Sequence, residues 1–104
     1  MRMYNPLDKI LNNEVKVKVL RFFCKTEAEW SGRQIAREIR SSPAATHKAL
    51  RQLHNERVLL FRTVGKSHLY CLNKENFIIS KILKPLYKRE DSIPEKVLEN
   101  IIKN

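Results

Sequence analysis

"SGRQIAREIRSSPAATHKALRQLHNERVLLFRTVGKSHLYCLN", residues 31–73, decides the fold. It opens on Ser-x-x-Gln, a capping box: the Ser31 hydroxyl and the Gln34 side chain each satisfy a backbone N–H that the first helical turn leaves free. The helix that follows turns Ile35, Ala36 and Ile39 inward and Arg33, Arg37 and Arg40 outward. It stops at Ser41-Ser42, and Ser42-Pro43 starts another, because proline is well tolerated at the first helical position. That second helix, PAATHKALRQLHNE, has Thr46, Ala49, Leu50 and Leu53 on its buried face. Two apolar, β-prone runs come next, Val58–Phe61 and Leu69–Leu72, around a basic tip. They predict a hairpin with strands over 58–64 and 67–72 and a turn at Gly65-Lys66.

On the N-terminal side, Leu7, Ile10 and Leu11 form a short helical stripe, and Asn13 caps a second helix reaching about Lys25. "VKVKV" alternates like a strand, yet Val15, Val19, Leu20, Phe22 and Phe23 share a helical face over eleven or twelve residues without a turn signal. Helix is therefore expected. "TEAEWS", residues 26–31, reads as a brief extended piece with Ala28 and Trp30 on one side, and Trp30 as core. Beyond the hairpin, "KENFIISKILKPLYKRE" is helical, with an apolar face of Phe77, Ile78, Ile82, Leu86 and Tyr87. Pro85 is expected to kink or end that helix, because it removes a backbone donor. Asp91 or Ser92 would cap a last helix, "IPEKVLENIIKN".

A chain of 104 residues makes one modest core, with no room for a separate catalytic domain. No apolar run spans a membrane and none resembles a signal peptide, so the expected location is the cytoplasm. Cys24 and Cys71 stand far apart in apolar surroundings and read as free, small core residues. His47, His54 and His68 are dispersed, without carboxylate or cysteine at ligand spacing, so no metal or other cofactor is expected. No Ser-His-Asp grouping, glycine-rich phosphate loop or HExxH occurs, and the chain is not expected to be an enzyme. The net charge of +10 is uneven: residues 31–73 carry eight basic and two acidic groups, whereas each flanking segment nets only +2. A polyanion facing the middle of the chain is the natural partner.

Two short, capped, amphipathic helices joined by a tight turn form a helix-turn-helix, and a hairpin follows directly. With "ILNNEVKVKVLRFF" as a preceding helix, residues 7–75 resemble winged helix-turn-helix transcriptional regulators of the MarR-like and ArsR-like kind. The resemblance implies a mainly α fold with a small β-hairpin (α+β) and C-terminal helices. It divides the chain into a DNA-binding domain over 1–75 and a helical extension over 76–104 that serves dimerisation. Two departures stand out. Arg57 occupies the junction where relatives usually have glycine, and a turn needing positive φ is less comfortable there. The cysteine pair that metal-sensing relatives carry near the second helix is missing.

The resemblance implies double-stranded DNA as partner, with the second helix in the major groove. Ser42, Ala44, Ala45, His47, Lys48 and Arg51 would then read the duplex: Arg51 pairs bidentately with guanine, Lys48 reaches guanine or phosphate, and the alanines allow close approach. Arg33 and Arg37 would grip phosphate from the preceding helix. Arg62, Lys66, Ser67 and His68 would contact phosphate or the minor groove from the wing. The bland alternatives are a solvated helix face and a charged loop that protects an edge strand from aggregation. Leu7, Ile10, Leu11, Val97, Leu98, Ile101 and Ile102 are the expected seam of a homodimer; folding back on the same chain is the alternative. A small-molecule effector near Phe77, Leu86 and Tyr87 is conceivable, though no polar group there names it. The rival function is a winged helix that holds a protein partner within a larger assembly. RNA binding is a third reading, weakened by the scarcity of aromatics for stacking.

Overall fold

The computed structural model describes residues 6–26, 28–76, 78–94 and 97. Helix α1 (Pro6–Ile10) leads into α2 (Glu14–Thr26), followed by the short strand β1 (Trp30–Ser31), α3 (Gly32–Ile39) and α4 (Pro43–Asn55). The hairpin β2 (Leu59–Val64) and β3 (Ser67–Leu72) comes next, then a wide π-helical turn (Ile79–Leu83) that runs straight into α5 (Lys84–Asp91). The sheet has the antiparallel order β1-β3-β2, with Trp30 opposite Tyr70 and Phe61 opposite Tyr70 on the other side.

Local signals set most of these boundaries. Asn13 Oδ1 accepts the Lys16 N–H at 2.8 Å and starts α2. The capping box at Ser31 is complete in both directions, at 3.0 and 3.3 Å. Ser42 Oγ accepts the Ala45 N–H at 3.1 Å with Pro43 behind it, so both helices of the pair begin as their sequence dictates. Val64 pairs with Ser67 across two turn residues, of which Gly65 takes a φ of +60°, as a type II′ hairpin turn requires of its first central position.

The core gathers Val19, Leu20 and Phe23 of α2, Ile35 of α3, Leu50 and Leu53 of α4, Val58 and Leu59 at the start of the hairpin, and Ile79 and Leu83 beyond it. Thr46, Ala49, Leu50 and Leu53 are all buried, as their spacing predicts. Lys16 was not foreseen inside, yet only 3% of it is exposed. Its ammonium donates to the Lys9 carbonyl at 2.8 Å, closing the C-terminal end of α1. Burial pushes that ammonium's pKa down, and the Glu56 carboxylate works against the shift.

Several expectations need correction. Of the two outcomes expected at Pro85, the helix does not end but is distorted: Lys84 N–H bonds Ile79 O, five residues back, and this wide turn restarts the helix with proline in its first turn, where a missing N–H costs little. The buried face there is Ile79, Leu83 and Tyr87; Ile82 and Leu86 are exposed. Leu86 is exposed, Tyr87 lines a groove with Cys24, Lys25, Lys84, Lys88 and Asp91, and Phe77 lies outside the described residues. Tyr87 donates to Val17 O at 3.2 Å, and burial pushes its phenol up to about 12. Asp91 pairs with Lys25 at 2.8 Å, and Ser92 Oγ donates to Arg89 O, so both residues finish α5; the last helix they were expected to cap lies mostly outside the described residues. Ala28 is exposed, whereas Trp30 is half-buried with its ring 5.2 Å from that of Phe22. Among the expected seam residues, Ile10 is only 1% exposed and belongs to its own protomer's core. Leu7 and Leu11 are half-buried, Val97 is 44% exposed, and Leu98, Ile101 and Ile102 lie outside the described residues.

Candidate nucleic-acid interface

Helix α4 and the hairpin stand side by side, and the strand alternation decides which wing residues face the helix. Phe61 lies 5.3 Å from the His54 ring of α4, so Phe61 is on the helix side. His68 and Tyr70, at 5.4 and 5.7 Å from Phe61, share that face. Arg62, one residue on in β2, must then point to the opposite face. There its guanidinium donates to both oxygens of Glu29, at 2.6 and 2.7 Å, and these bonds hold the Glu29 carboxyl below its usual value. Arg62 is thus placed apart from the other expected wing contacts, already paired with a carboxylate.

Between α4 and the wing run two adjoining grooves. One, of about 270 Å³, is lined by His47, Arg51, His54, Asn55, Phe61, His68 and Tyr70. The other, of about 400 Å³, lies between Ser31, Gly32 and Arg33 at the start of α3 and His47, Lys66, Ser67, His68 and Tyr70. The structure therefore brings together Arg33, His47, Arg51, Lys66, Ser67 and His68 from three separate elements. Among the described residues, no carboxylate lines either groove. Three of the eight basic residues of 31–73, Arg33, Arg51 and Lys66, thus line adjoining grooves, whose low-dielectric walls focus the field on an entering anion.

The remaining expected contacts lie around this channel. Ala44 and Lys48 are exposed; Ala45 is half-buried, and with Lys48 it lines a shallow groove against Asn12–Val15 at the start of α2. Ser42 is engaged as the cap of α4, although a hydroxyl that accepts a bond keeps its own proton to donate. Arg37 is exposed on α3 and lines neither groove. His54, Asn55, Phe61 and Tyr70 were not among the residues expected here. The spacing of His47, Arg51 and His54 at i, i+4 and i+7 groups them on one helix face. The joining of that face to Phe61 and His68 is a tertiary event with no local signature. Among the described residues, no group of three or more His, Cys, Asp or Glu is arranged to hold a metal ion.

Arg57, at the junction of α4 and β2, adopts the left-handed conformation with φ 62°, so the turn keeps the geometry that glycine favours. Its carbonyl accepts from the Asn73 and Asn76 amides, both at 3.0 Å, which holds the start of the wing against the chain that leaves it.

No protein-family model matches the sequence, and no curated protein sequence does either. Solved structures do match the fold. The transcriptional repressor BigR from Xylella fastidiosa superposes with a TM-score of 0.67 at 19% identity, over 80% of this chain and 81% of that one. HlyU from Vibrio cholerae gives 0.62 at 19% identity, over 80% and 82%. The homodimeric winged helix-turn-helix DNA-binding domain Mb0332 from Mycobacterium bovis gives 0.65 at 15% identity, over 88% and 81%. With the helix pair, the hairpin and the sheet order already in place, the chain has the winged helix-turn-helix fold.

Proposed function

We propose that this chain is a sequence-specific DNA-binding regulator of transcription that works in the cytoplasm as a homodimer. Helix α4 enters the major groove, where Arg51 and Lys48 meet base edges, while Arg33, Lys66, Ser67 and His68 hold the phosphate backbone. The observation that carries this reading is the channel between α4 and the wing, lined by Arg33, Arg51 and Lys66 and, among the described residues, by no carboxylate. A winged helix that held a protein partner would have no need to focus charge there. BigR is a transcriptional repressor and Mb0332 a DNA-binding domain, which points the same way.

Residues 1–75 form the DNA-binding unit in this reading, and 76–104 the dimerisation extension. Exposed Ile82, Leu86 and Val97 give the extension apolar surface for a second copy, and Leu7 and Leu11 add to it. A symmetric dimer sets two copies of α4 about 34 Å apart, matching a pseudo-palindrome.

The test is selection from a random duplex pool, followed by titration of the winning sequence and a scrambled one at several salt concentrations. A two-fold-symmetric site bound at least ~10³-fold more tightly than scrambled duplex is the expected result. Binding that is weak, equal for all sequences and lost with modest salt would overturn it in favour of an architectural or protein-holding role.

A further inference from the structure

The chain has three histidines, spread over twenty-two residues of sequence, and the fold brings all three to the walls of one groove. His47 and His54 come from α4 and His68 from β3. Phe61 contacts two of them, with its ring centre 5.3 Å from that of His54 and 5.4 Å from that of His68.

Among the described residues, the charged groups that face these imidazoles are all cationic, and one neutral phenol joins them. Helix α4 supplies Arg51, α3 supplies Arg33, the wing turn supplies Lys66, and β3 supplies the Tyr70 phenol. Strand β2 contributes Phe61 and Thr63, whose hydroxyl lies 3.5 Å from His68 Nδ1. The acid that touches the wing, Glu29, is held on its other face by Arg62. Burial pushes the Tyr70 hydroxyl upward, with Arg51 opposing, so it stays a neutral donor at physiological pH. Among the described residues, no carboxylate lines the channel to neutralise an imidazolium, whereas an anion from outside can.

We propose that the groove between α4 and the wing is a proton-coupled phosphate seat, in which His47, His54 and His68 take up protons as the duplex backbone enters. The proposal rests on the DNA-binding reading above and adds a regulation to it. A phosphate beside an imidazole favours the protonated ring, which offers two charge-assisted N–H donors where the neutral ring offers one. Histidine is the side chain whose protonation can be coupled to anion binding in the pH range where cells operate. The sign follows from linkage. DNA raises the affinity of the rings for protons, so affinity for DNA grows as pH falls and is lost as pH rises through the values in the complex. Each proton taken up changes affinity by at most about tenfold per pH unit.

The test is fluorescence anisotropy of a labelled mixed-sequence duplex at fixed ionic strength, from about pH 6 to about pH 8, around the imidazole range. It is run on the unmodified protein and on the His47→Gln, His54→Gln, His68→Gln triple variant. Calorimetry of the unmodified protein in two buffers of different ionisation enthalpy counts the protons directly, whatever the variant's fold. The expected result is affinity at least ~tenfold tighter at the acidic end, with one to about three protons taken up, and a nearly flat profile for the variant. Tight DNA binding without proton uptake overturns the proposal and leaves the DNA-binding reading intact. A pH dependence that the triple variant keeps also overturns it, since the protons then go elsewhere. Failure to bind duplex at any pH overturns the DNA-binding reading and the phosphate seat with it.

Discussion

Arg62 and Glu29 form a two-pronged ion pair, at 2.6 and 2.7 Å, on the face of the wing turned away from α4. The basic wing therefore has two unlike sides. One joins the channel through His68 and Phe61, and the other carries an arginine whose charge is already matched. For DNA binding the pair has a measurable consequence. Arg62→Ala is expected to leave the salt slope of duplex binding close to that of the parent. Glu29→Gln frees the guanidinium and should steepen the slope by up to about one counterion. A titration of affinity against salt for both variants checks this, and a large loss of slope in Arg62→Ala would contradict it.

Arg51 and Lys66 occupy opposite walls of the channel and should fail differently. Arg51→Ala is expected to cost ~1–3 kcal/mol and to relax preference at one base position. Lys66→Ala should weaken all sequences alike and lower the salt slope by about one. Binding of a panel of single-base operator variants distinguishes the two patterns. Equal binding of every sequence by Arg51→Ala and the parent would show that α4 sits in a different register.

Thr46 is buried in α4, and its hydroxyl oxygen has no hydrogen-bond partner among the described residues. A buried hydroxyl without a partner is a net cost, and valine has nearly the same shape without the polar atom. Thr46→Val is expected to stabilise the fold by about 1 kcal/mol in denaturant unfolding. A destabilised variant would mean that the hydroxyl finds a partner in solution.

Arg57 holds a φ of 62°, a conformation that costs a residue with a Cβ about 1–2 kcal/mol. Glycine removes that cost but loses more chain entropy on folding, by roughly 0.5–1 kcal/mol. Arg57→Gly should therefore raise stability by up to ~1 kcal/mol. Arg57→Ala, which keeps the strain and removes the side chain, separates the backbone effect from the arginine's own contacts. Unfolding curves for the pair give the difference directly.

Arg21 ties α2 to α5 through two bonds to Glu90, at 2.6 and 2.9 Å, and lies 5.5 Å over the Tyr87 ring. The hydrogen bonds from Arg21 hold the Glu90 carboxyl below its usual value. Stability from a depressed carboxyl is present above its unfolded value, about 4.3, and is lost as pH falls through the folded one. The pair is partly exposed and screened, so its share is below ~1 kcal/mol. Glu90→Gln should flatten the fall in stability between about pH 5 and pH 3, measured by thermal unfolding across that range.

Capping signals, helix periodicity and the glycine-lysine turn are short-range, and each involves residues within about four of one another. That is why α2, α3, α4 and the hairpin could be read from residues 13–73, and why the concentration of charge there already pointed to a polyanion. Pro85 shows where this reading stops. A breaker by local rules, it is accommodated by a π-helical turn because Ile79, Leu83 and Tyr87 gain burial against the core by continuing the helix. Ile10 similarly left the expected seam for the core. Strand pairing then settled what no window of sequence contains: it turned Arg62 away from α4 and brought His68 and Phe61 toward His54. A side chain's face in a strand is fixed by alternation, but which face meets the helix depends on packing between elements far apart in the chain. The amino-acid sequence thus determined the elements and their charge, while tertiary packing decided which of those charges share one channel.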